Sequence, residues 1–248
     1  MERWEDHVAV VTGASSGMGA AIFESLALAG FIVIGLARRV NLIQDIIDKQ
    51  KPDVASRMHA HYCDVRLPES VDTAFEYINS SFGGIDVLIN NAGIIRTGNL
   101  IDMNLTDIHD TIQTNLFGYI YWSRKAAASL IERNATGHII QINSVTGFYV
   151  PRNVGFSVNA YPISKFGLTA LKDVLAEELN LIGNRNIKVT SINPGSVDTP
   201  IWDSLGMTVD VETSLKPEDI ADTVLYILQT PRNVHIKELT ISAVGDKW

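Results

Sequence analysis

Cysteine is nearly absent: Cys63 is the only one among 248 residues. An internal disulfide is therefore impossible, and a reducing, cytoplasmic setting is the default expectation. Cys63 lies in an apolar strand-like run and is expected to be a small buried residue, not a reactive thiol. Basic charge is scarce too: 20 Lys and Arg against 28 Asp and Glu give a formal net charge of −8. That balance opposes a nucleic-acid or anionic-membrane partner, which needs a broad cationic face. It does not oppose a phosphate-bearing ligand, for which a few local donors suffice. Long apolar runs are missing; the stretch at residues 31–37 is too short to span a bilayer. Strand-like sequence begins by residues 7–11, which leaves no room for a secretory leader. The Asn-x-Ser/Thr sequons at Asn79, Asn104 and Asn134 are accordingly expected to be chance matches.

What the chain has is apolar material, 46% of its residues, enough for one sizeable core. Strand-like runs at 8–11, 32–36, 59–63, 87–89, 139–142, 189–192 and 238–241 alternate with helical patterns at 17–29, 69–82, 107–132, 162–181 and 217–228. Pro68 and Pro217 suit first helical turns, and Glu218 and Asp219 complement a helix N-terminus. This alternation predicts one α/β domain over residues 1–248: a doubly wound parallel sheet of about seven strands with helices on both faces. No repeat or linker divides the chain. The one long irregular stretch, about 195–216, is expected to serve the substrate.

The first strand runs into Thr12-Gly13-Ala14-Ser15-Ser16-Gly17-Met18-Gly19. Glycines let the backbone approach a pyrophosphate, and a helix N-terminus offers free N–H groups with a positive dipole. An ordinary Gly-rich turn would look the same. The second strand ends Ala37-Arg38-Arg39, so no acid stands where a ribose 2′-hydroxyl would be read. Two guanidinium groups suit a 2′-phosphate instead, which favours NADP over NAD; the alternative is a solvated surface pair. Asp64, followed by Val65, could accept from an adenine amino group.

Tyr161 and Lys165 lie four apart on one helix, so they share a face. A phenol titrates near 10, and a nearby ammonium favours its phenolate. Ser144, after a strand, would polarise a substrate oxygen while Tyr161 gives or takes its proton. A Tyr-x-x-x-Lys pair alone is a common helical pattern.

In order along the chain, Thr12-Gly13-x-x-x-Gly17-x-Gly19, Asp64, Asn90-Asn91-Ala92-Gly93, Asn115, Ser144, Tyr161-x-x-x-Lys165 and Pro194-Gly195-x-x-x-Thr199 resemble the short-chain dehydrogenase/reductase family over essentially the whole length. The resemblance implies a Rossmann fold, with Asn91, Ala92 and Gly93 beside the cofactor and Pro194, Gly195, Val197 and Thr199 bordering the nicotinamide. It implies that Asn115 holds a water linking Lys165 to solvent, in a relay with Ser144 and Tyr161. It also implies a homodimer or homotetramer. A finer resemblance rests on Ala37-Arg38-Arg39 and residues 138–144, 215–221 and 235–241. It is to the NADP-linked insect farnesol dehydrogenase-like branch, and it implies a small apolar alcohol or carbonyl substrate. One departure is visible: Ser144 and Tyr161 are further apart than in most members, with the extra length in residues 148–159.

The alternatives are a reductase of steroid, retinoid or other ketones, a non-catalytic dinucleotide-binding regulator, or a structural oligomer. The full set of Asn115, Ser144, Tyr161 and Lys165 argues against the regulator, and the intact glycines argue against the structural oligomer. Trp202, Leu205 and Met207 are expected to form an apolar lid, loose without ligand. Phe148, Tyr149, Val150 and Phe156 would face it. Phe117, Tyr119, Tyr121 and Trp122 read as core or subunit contact. His59 and His61 share a strand face but lack a third ligand, so exposed edge histidines are expected and no metal.

Overall fold

In the computed structural model, which describes residues 1–152, 157–208 and 210–246, apolar side chains sort by alternation onto two faces of one sheet. The elements of the first half are β1 (Val8–Thr12), α1 (Gly17–Leu28), β2 (Ile32–Ala37), α2 (Val40–Ile47), α3 (Pro52–Ala55), β3 (Met58–Tyr62), α4 (Pro68–Phe82) and β4 (Val87–Asn90). Those of the second are α5 (Leu105–Ile112), α6 (Gly118–Glu132), β5 (Gly137–Ile142), α7 (Ala160–Leu181), β6 (Ile187–Pro194), α8 (Pro217–Gln229) and β7 (Glu238–Ile241). All seven strands pair in parallel in the order β3-β2-β1-β4-β5-β6-β7.

Ala9, Val11, Val33, Ile89 and Ile140 face Phe23, Leu26, Ile43, Val224 and Ile227 of α1, α2 and α8. Their neighbours Val8, Val10, Ile34, Leu88 and Ile139 face Val71, Ile78, Trp122, Leu130 and Leu175 of α4, α6 and α7. Strands buried on both sides need no polar face, which is why they read as continuous apolar runs. Each fully buried Val, Leu or Ile contributes about 1.5–3 kcal/mol.

The strand expectations hold to within two residues. The helix expected over 107–132 begins at Leu105 and contains a π-helical turn, Gln113–Phe117, between α5 and α6. α2 and α3 were not anticipated. α2 lacks a side-chain N-cap and is rich in β-branched residues, yet Ile43 and Ile47 lie four apart and bury one stripe. Tyr119 and Trp122 are core residues, whereas Phe117 and Tyr121 pack against each other nearer the surface. β3 is an edge strand, but its histidines are half-buried: His59 packs on Phe82, and His61 stacks on Tyr77 with centroids 4.2 Å apart. Among the described residues, no group of three His, Cys, Asp or Glu could hold a metal ion. None of their helices is long and apolar enough to cross a membrane.

Candidate active site

The strand order reverses between β1 and β4, so the loops leaving their C-terminal ends diverge and open a crevice, the usual ligand position in such sheets. A cleft of about 420 Å³ lies there. Gly13, Ser15, Ser16, Gly17, Met18 and Gly19 form one wall. Gly13 and Gly17 have φ of +69° and +56°, where a side chain is strained. A Cβ on Gly19 would lie 2.2 Å from the Gly13 carbonyl oxygen, so only glycine lets α1 start this close to the turn. The first turn of α1 carries no acid, and the Ser16 hydroxyl makes no cap bond. The N-terminal dipole is therefore not offset by protein charge.

β4 is tied to this turn. The Asn91 side-chain amide donates to the Thr12 carbonyl at 2.9 Å, and Thr12 Oγ1 accepts from the backbone N–H groups of Asn91 and Ala92. Asn91, Ala92 and Gly93 line the cleft. So do Arg38 and Arg39, both exposed. Arg39 donates to the hydroxyls of Ser15 and Ser16 at 3.3 and 3.2 Å. Asp64 and Val65 lie on the same wall, and Asp64 is held in place by an arginine. Arg66 grips its carboxylate with both prongs, at 2.7 and 3.0 Å, and reaches Asp110 at 2.9 Å. Burial pushes the Asp64 carboxyl up, yet the bonds and charge of Arg66 outweigh it and hold it below its ordinary value.

Two buried amide oxygens on the cleft wall, Asn91 Oδ1 and Asn143 Oδ1, have no hydrogen-bond partner among the described residues. With the glycine turn, the bare helix start and the arginines, they fit a dinucleotide that brings both phosphates and hydroxyl donors.

Tyr161 lines this cleft and also a second pocket of about 70 Å³. Ser144, two residues past β5, caps a short turn by accepting from Thr146 N–H at 3.1 Å, and it lines the second pocket beside Tyr161, near enough to favour the phenolate. The unusual sequence separation of Ser144 and Tyr161 is thus absorbed by the intervening loop. Lys165 is buried; its Nζ donates to the Ile142 carbonyl at 3.0 Å and lies 5.5 Å from the ring centroids of Tyr161 and Tyr119.

The electrostatics correct one expectation. Burial pushes the Tyr161 phenol up to about 12, with Ser144 opposing it, and pushes Lys165 down to about 7. Desolvation therefore outweighs the ammonium, and a phenolate is not favoured in the protein alone. Asn115 is fixed by its own bonds. Its Oδ1 accepts from Ile94 N–H at 2.8 Å, and its amide hydrogens go to the Ile94 carbonyl and Ser164 Oγ. The side chain holds the segment after β4, and no amide hydrogen is left to reach toward Lys165.

The small pocket is mainly apolar. Ile95, Val145 and Val158 face Ile201, Trp202 and Leu205 across it, with Ser144 and Gly195 at its edge. Trp202 and Leu205 are where a lid was expected; Met207 is not on the lining. The loop is anchored rather than loose: Val197 and Leu215 bridge, Asp198 N–H donates to Leu215 O at 2.8 Å, and Trp202 Nε1 donates to Val197 O at 2.8 Å. Phe148, Tyr149 and Val150 are exposed and off the lining, because Ile95 and Val158 occupy the facing wall; Phe156 lies outside the described residues. Pro194 and Val197 are buried beneath the site and line neither cavity, whereas Gly195 and Thr199 do.

Sequence reasoning missed Arg66, Tyr119, Pro200, Ile201 and Asn159. Tyr119 donates its hydroxyl to the same Ile142 carbonyl as Lys165, at 3.0 Å. Asn159 holds φ +41° and ψ −120°, a conformation for glycine, just before α7. Its amide donates to the carbonyls of Arg96 and Gly98 at 2.6 and 3.1 Å, tying the start of the helix bearing Tyr161 to the loop bearing Ile95.

A profile of the family described as short chain dehydrogenase matches residues 7–210, and the chain belongs to this short-chain dehydrogenase/reductase family of oxidoreductases. It is 43% identical over 252 residues to the farnesol dehydrogenase of Aedes aegypti, covering 100% of both chains. It is 35% identical over 250 residues to human dehydrogenase/reductase SDR family member 11, covering 96% of this chain and 95% of that one. Among solved structures, an alcohol dehydrogenase from the archaeon Thermococcus sibiricus, complexed with 5-hydroxy-NADP, superposes with a TM-score of 0.84 at 26% identity, covering 98% and 99% of the two chains.

Proposed function

We propose that this oxidoreductase is an NADP(H)-dependent alcohol dehydrogenase or carbonyl reductase for an apolar substrate of the farnesol type. What supports this most is the position of Tyr161, whose side chain stands between a polar cleft of dinucleotide character and an apolar pocket, beside Ser144. A proton donor at such a junction serves a carbonyl or alcohol carbon placed between the two. The glycine turn and the start of α1 would hold the pyrophosphate. Arg38 and Arg39 would take the 2′-phosphate, as befits a relative that carries an NADP derivative. Asp64 and Val65 would border the adenine, and Asn91, Ala92, Gly93 and Thr199 the remainder.

When bound, the nicotinamide supplies or accepts the hydride. Ser144 donates to the substrate oxygen. Tyr161 hands it a proton in reduction or takes one in oxidation. Lys165, poised near neutrality, exchanges charge with the phenol. With the phenol up at about 12 in the protein alone, Tyr161 carries its proton at neutral pH and can give it in reduction, and oxidation, which needs the phenol to take one, should quicken as pH rises. Ile131, Ile163, Phe166 and Val174 on α6 and α7 are exposed, which suits the homodimer or homotetramer typical of the family; light scattering of the purified protein would decide.

The direct test is an assay of the purified protein with farnesol and short alcohols, with NADP+ and with NAD+. Farnesol turnover with NADP+ favoured at least about tenfold over NAD+ is expected. Preference for NAD+, or no oxidation of any alcohol and no reduction of any aldehyde, would overturn the proposal.

A further inference from the structure

A third cavity, of about 70 Å³, lies at the end of the sheet opposite the candidate active site. It is lined by the segment before β1 and by the starts of β5 and β6. Arg3, Arg185, Lys188 and Arg232 line it, with His138, and no Asp or Glu does. In a chain with 28 acids against 20 Lys and Arg, a pocket with four cations and no carboxylate is against the balance of the molecule. None of the four is in an ion pair among the described residues.

The plain structural explanation accounts for part of this. Arg3 donates to the carbonyls of Leu228 and Thr230, and Lys188 to those of Pro231 and Val234, so both fasten the turn after α8. Carbonyls are dipoles, however, and neutralise no full charge. Arg3 and Lys188 remain close enough to oppose one another. Burial and then the charge of Arg3 hold Lys188 below its ordinary value, and His138 is held well below by burial, then His235, Lys188 and Arg3. His138 is buried with a nitrogen 2.7 Å from Thr190 Oγ1, so one wall is fixed. The side chains of Arg185 and Arg232 line the cavity, are exposed, and make no ion pair among the described residues. The cavity has room for about two waters at roughly 30 Å³ each, the size of one small oxyanion.

We propose that this pocket is a second anion site, which takes the phosphate group of a small molecule at the N-terminal edge of the sheet. Arg185 and Arg232 close over the anion from outside; Arg3 and Lys188 meet it from within. Binding ties the N-terminal segment, the turn after α8 and the starts of β5 and β6 together. Occupancy is then read as stability of the native fold.

Inorganic phosphate is the probe, titrated against chloride at constant ionic strength, since phosphate also stabilises proteins by exclusion without saturating. Thermal unfolding is followed for the unaltered protein, for Arg185→Ser/Arg232→Ser and for Arg38→Asp, which alters only the cofactor cleft. A saturable rise in Tm of about 3 °C is expected in the unaltered protein and in Arg38→Asp, and its loss in the double variant. Both arginines are exposed, so the double variant should unfold at the unaltered temperature without phosphate. A rise that does not saturate, that survives Arg185→Ser/Arg232→Ser, or that vanishes in Arg38→Asp would overturn the proposal.

Discussion

The cleft on one side of Tyr161 measures about 420 Å³ and the pocket on the other about 70 Å³, and they are built differently. The cleft is made of backbone at strand ends: the Gly13–Gly19 turn, β4 bonded to Thr12, and two arginines directly after β2. Each part has a fixed position relative to the sheet, and few residue types can occupy it. The pocket is made of side chains from three loops, with Ile95, Val158 and Leu205 positioned by loop tethers such as Asn159 to Arg96 and Gly98 and Trp202 to Val197. Many apolar residues would serve there. A backbone-built site leaves a motif in the sequence, while a side-chain-built site leaves only hydrophobicity.

The largest effect should come at the boundary between the two. Tyr161→Phe keeps the ring but removes the hydroxyl. Turnover should fall by about 10³-fold, with NADP(H) affinity changed little in a fluorescence titration. Residual activity within tenfold of the original would move the proton transfer to another group. Next comes the cleft alone. Arg38→Asp should weaken NADP(H) by about 10²-fold and NAD(H) far less, since a carboxylate repels the 2′-phosphate. Equal loss for both cofactors would return Arg38 to the solvated surface.

Lys165 belongs to both sides and offers a smaller, separate readout. A lysine in the unfolded chain titrates near 10.5, and Lys165 in the fold near 7. Between those values the unfolded chain binds the extra proton, so this group makes stability rise as pH goes from about 7 to about 10.5. Below that window its burial cost is fully present. Lys165→Met removes the cost and leaves no orphan, because the Ile142 carbonyl still accepts from Tyr119. The variant should be more stable by about 2 kcal/mol at pH 6, and less so near pH 10, while losing turnover. A variant less stable than the parent at pH 6 would mean that Lys165 is not held against its charge.

The strands and their parallel sheet were legible because strands buried on both faces are apolar runs that alternate with helical patterns; the order β3-β2-β1-β4-β5-β6-β7 was not read from them. The glycine turn, Arg38, Arg39, Ser144, Tyr161 and Lys165 could be picked out because each follows a strand or shares a helix face, whereas Asn91 came from the family resemblance. Arg66 was not: its pairing with Asp64 is local, but its bond to Asp110 joins residues far apart in the chain. Ile95 and Val158 were not, since nothing in sequence distinguishes an apolar residue facing a pocket from one facing the core. Phe148 and Tyr149 looked the better wall by size alone. The π-helical turn around Asn115 was hidden because the apolar spacing on both sides of it stays helical and nothing in residues 113–117 marks the extra residue in the turn.

The smallest effect should sharpen the substrate side. A pocket of about 70 Å³ holds less than a long prenyl alcohol needs, so Ile201, Trp202 and Leu205 must move outward for such a chain to enter. Trp202 is half-buried, with its indole N–H bonded to Val197, which the bridge to Leu215 holds in the core, so moving the ring outward breaks that bond but empties no core position. Its ring would then lie along the admitted chain and keep water from the carbon beside Tyr161. Trp202→Ala deletes that contact. Each methylene uncovered costs about 0.8 kcal/mol, so losing contact with two should raise KM about tenfold for farnesol. A short alcohol, seated between Ser144 and Tyr161 without reaching the indole, should keep its KM within about twofold. Measuring both substrates on one preparation at saturating NADP+ separates this from general damage to the loop, which would raise both. Equal losses would show that the loop does not bear on the length of the substrate, and the apolar-alcohol reading would then rest on likeness to relatives alone.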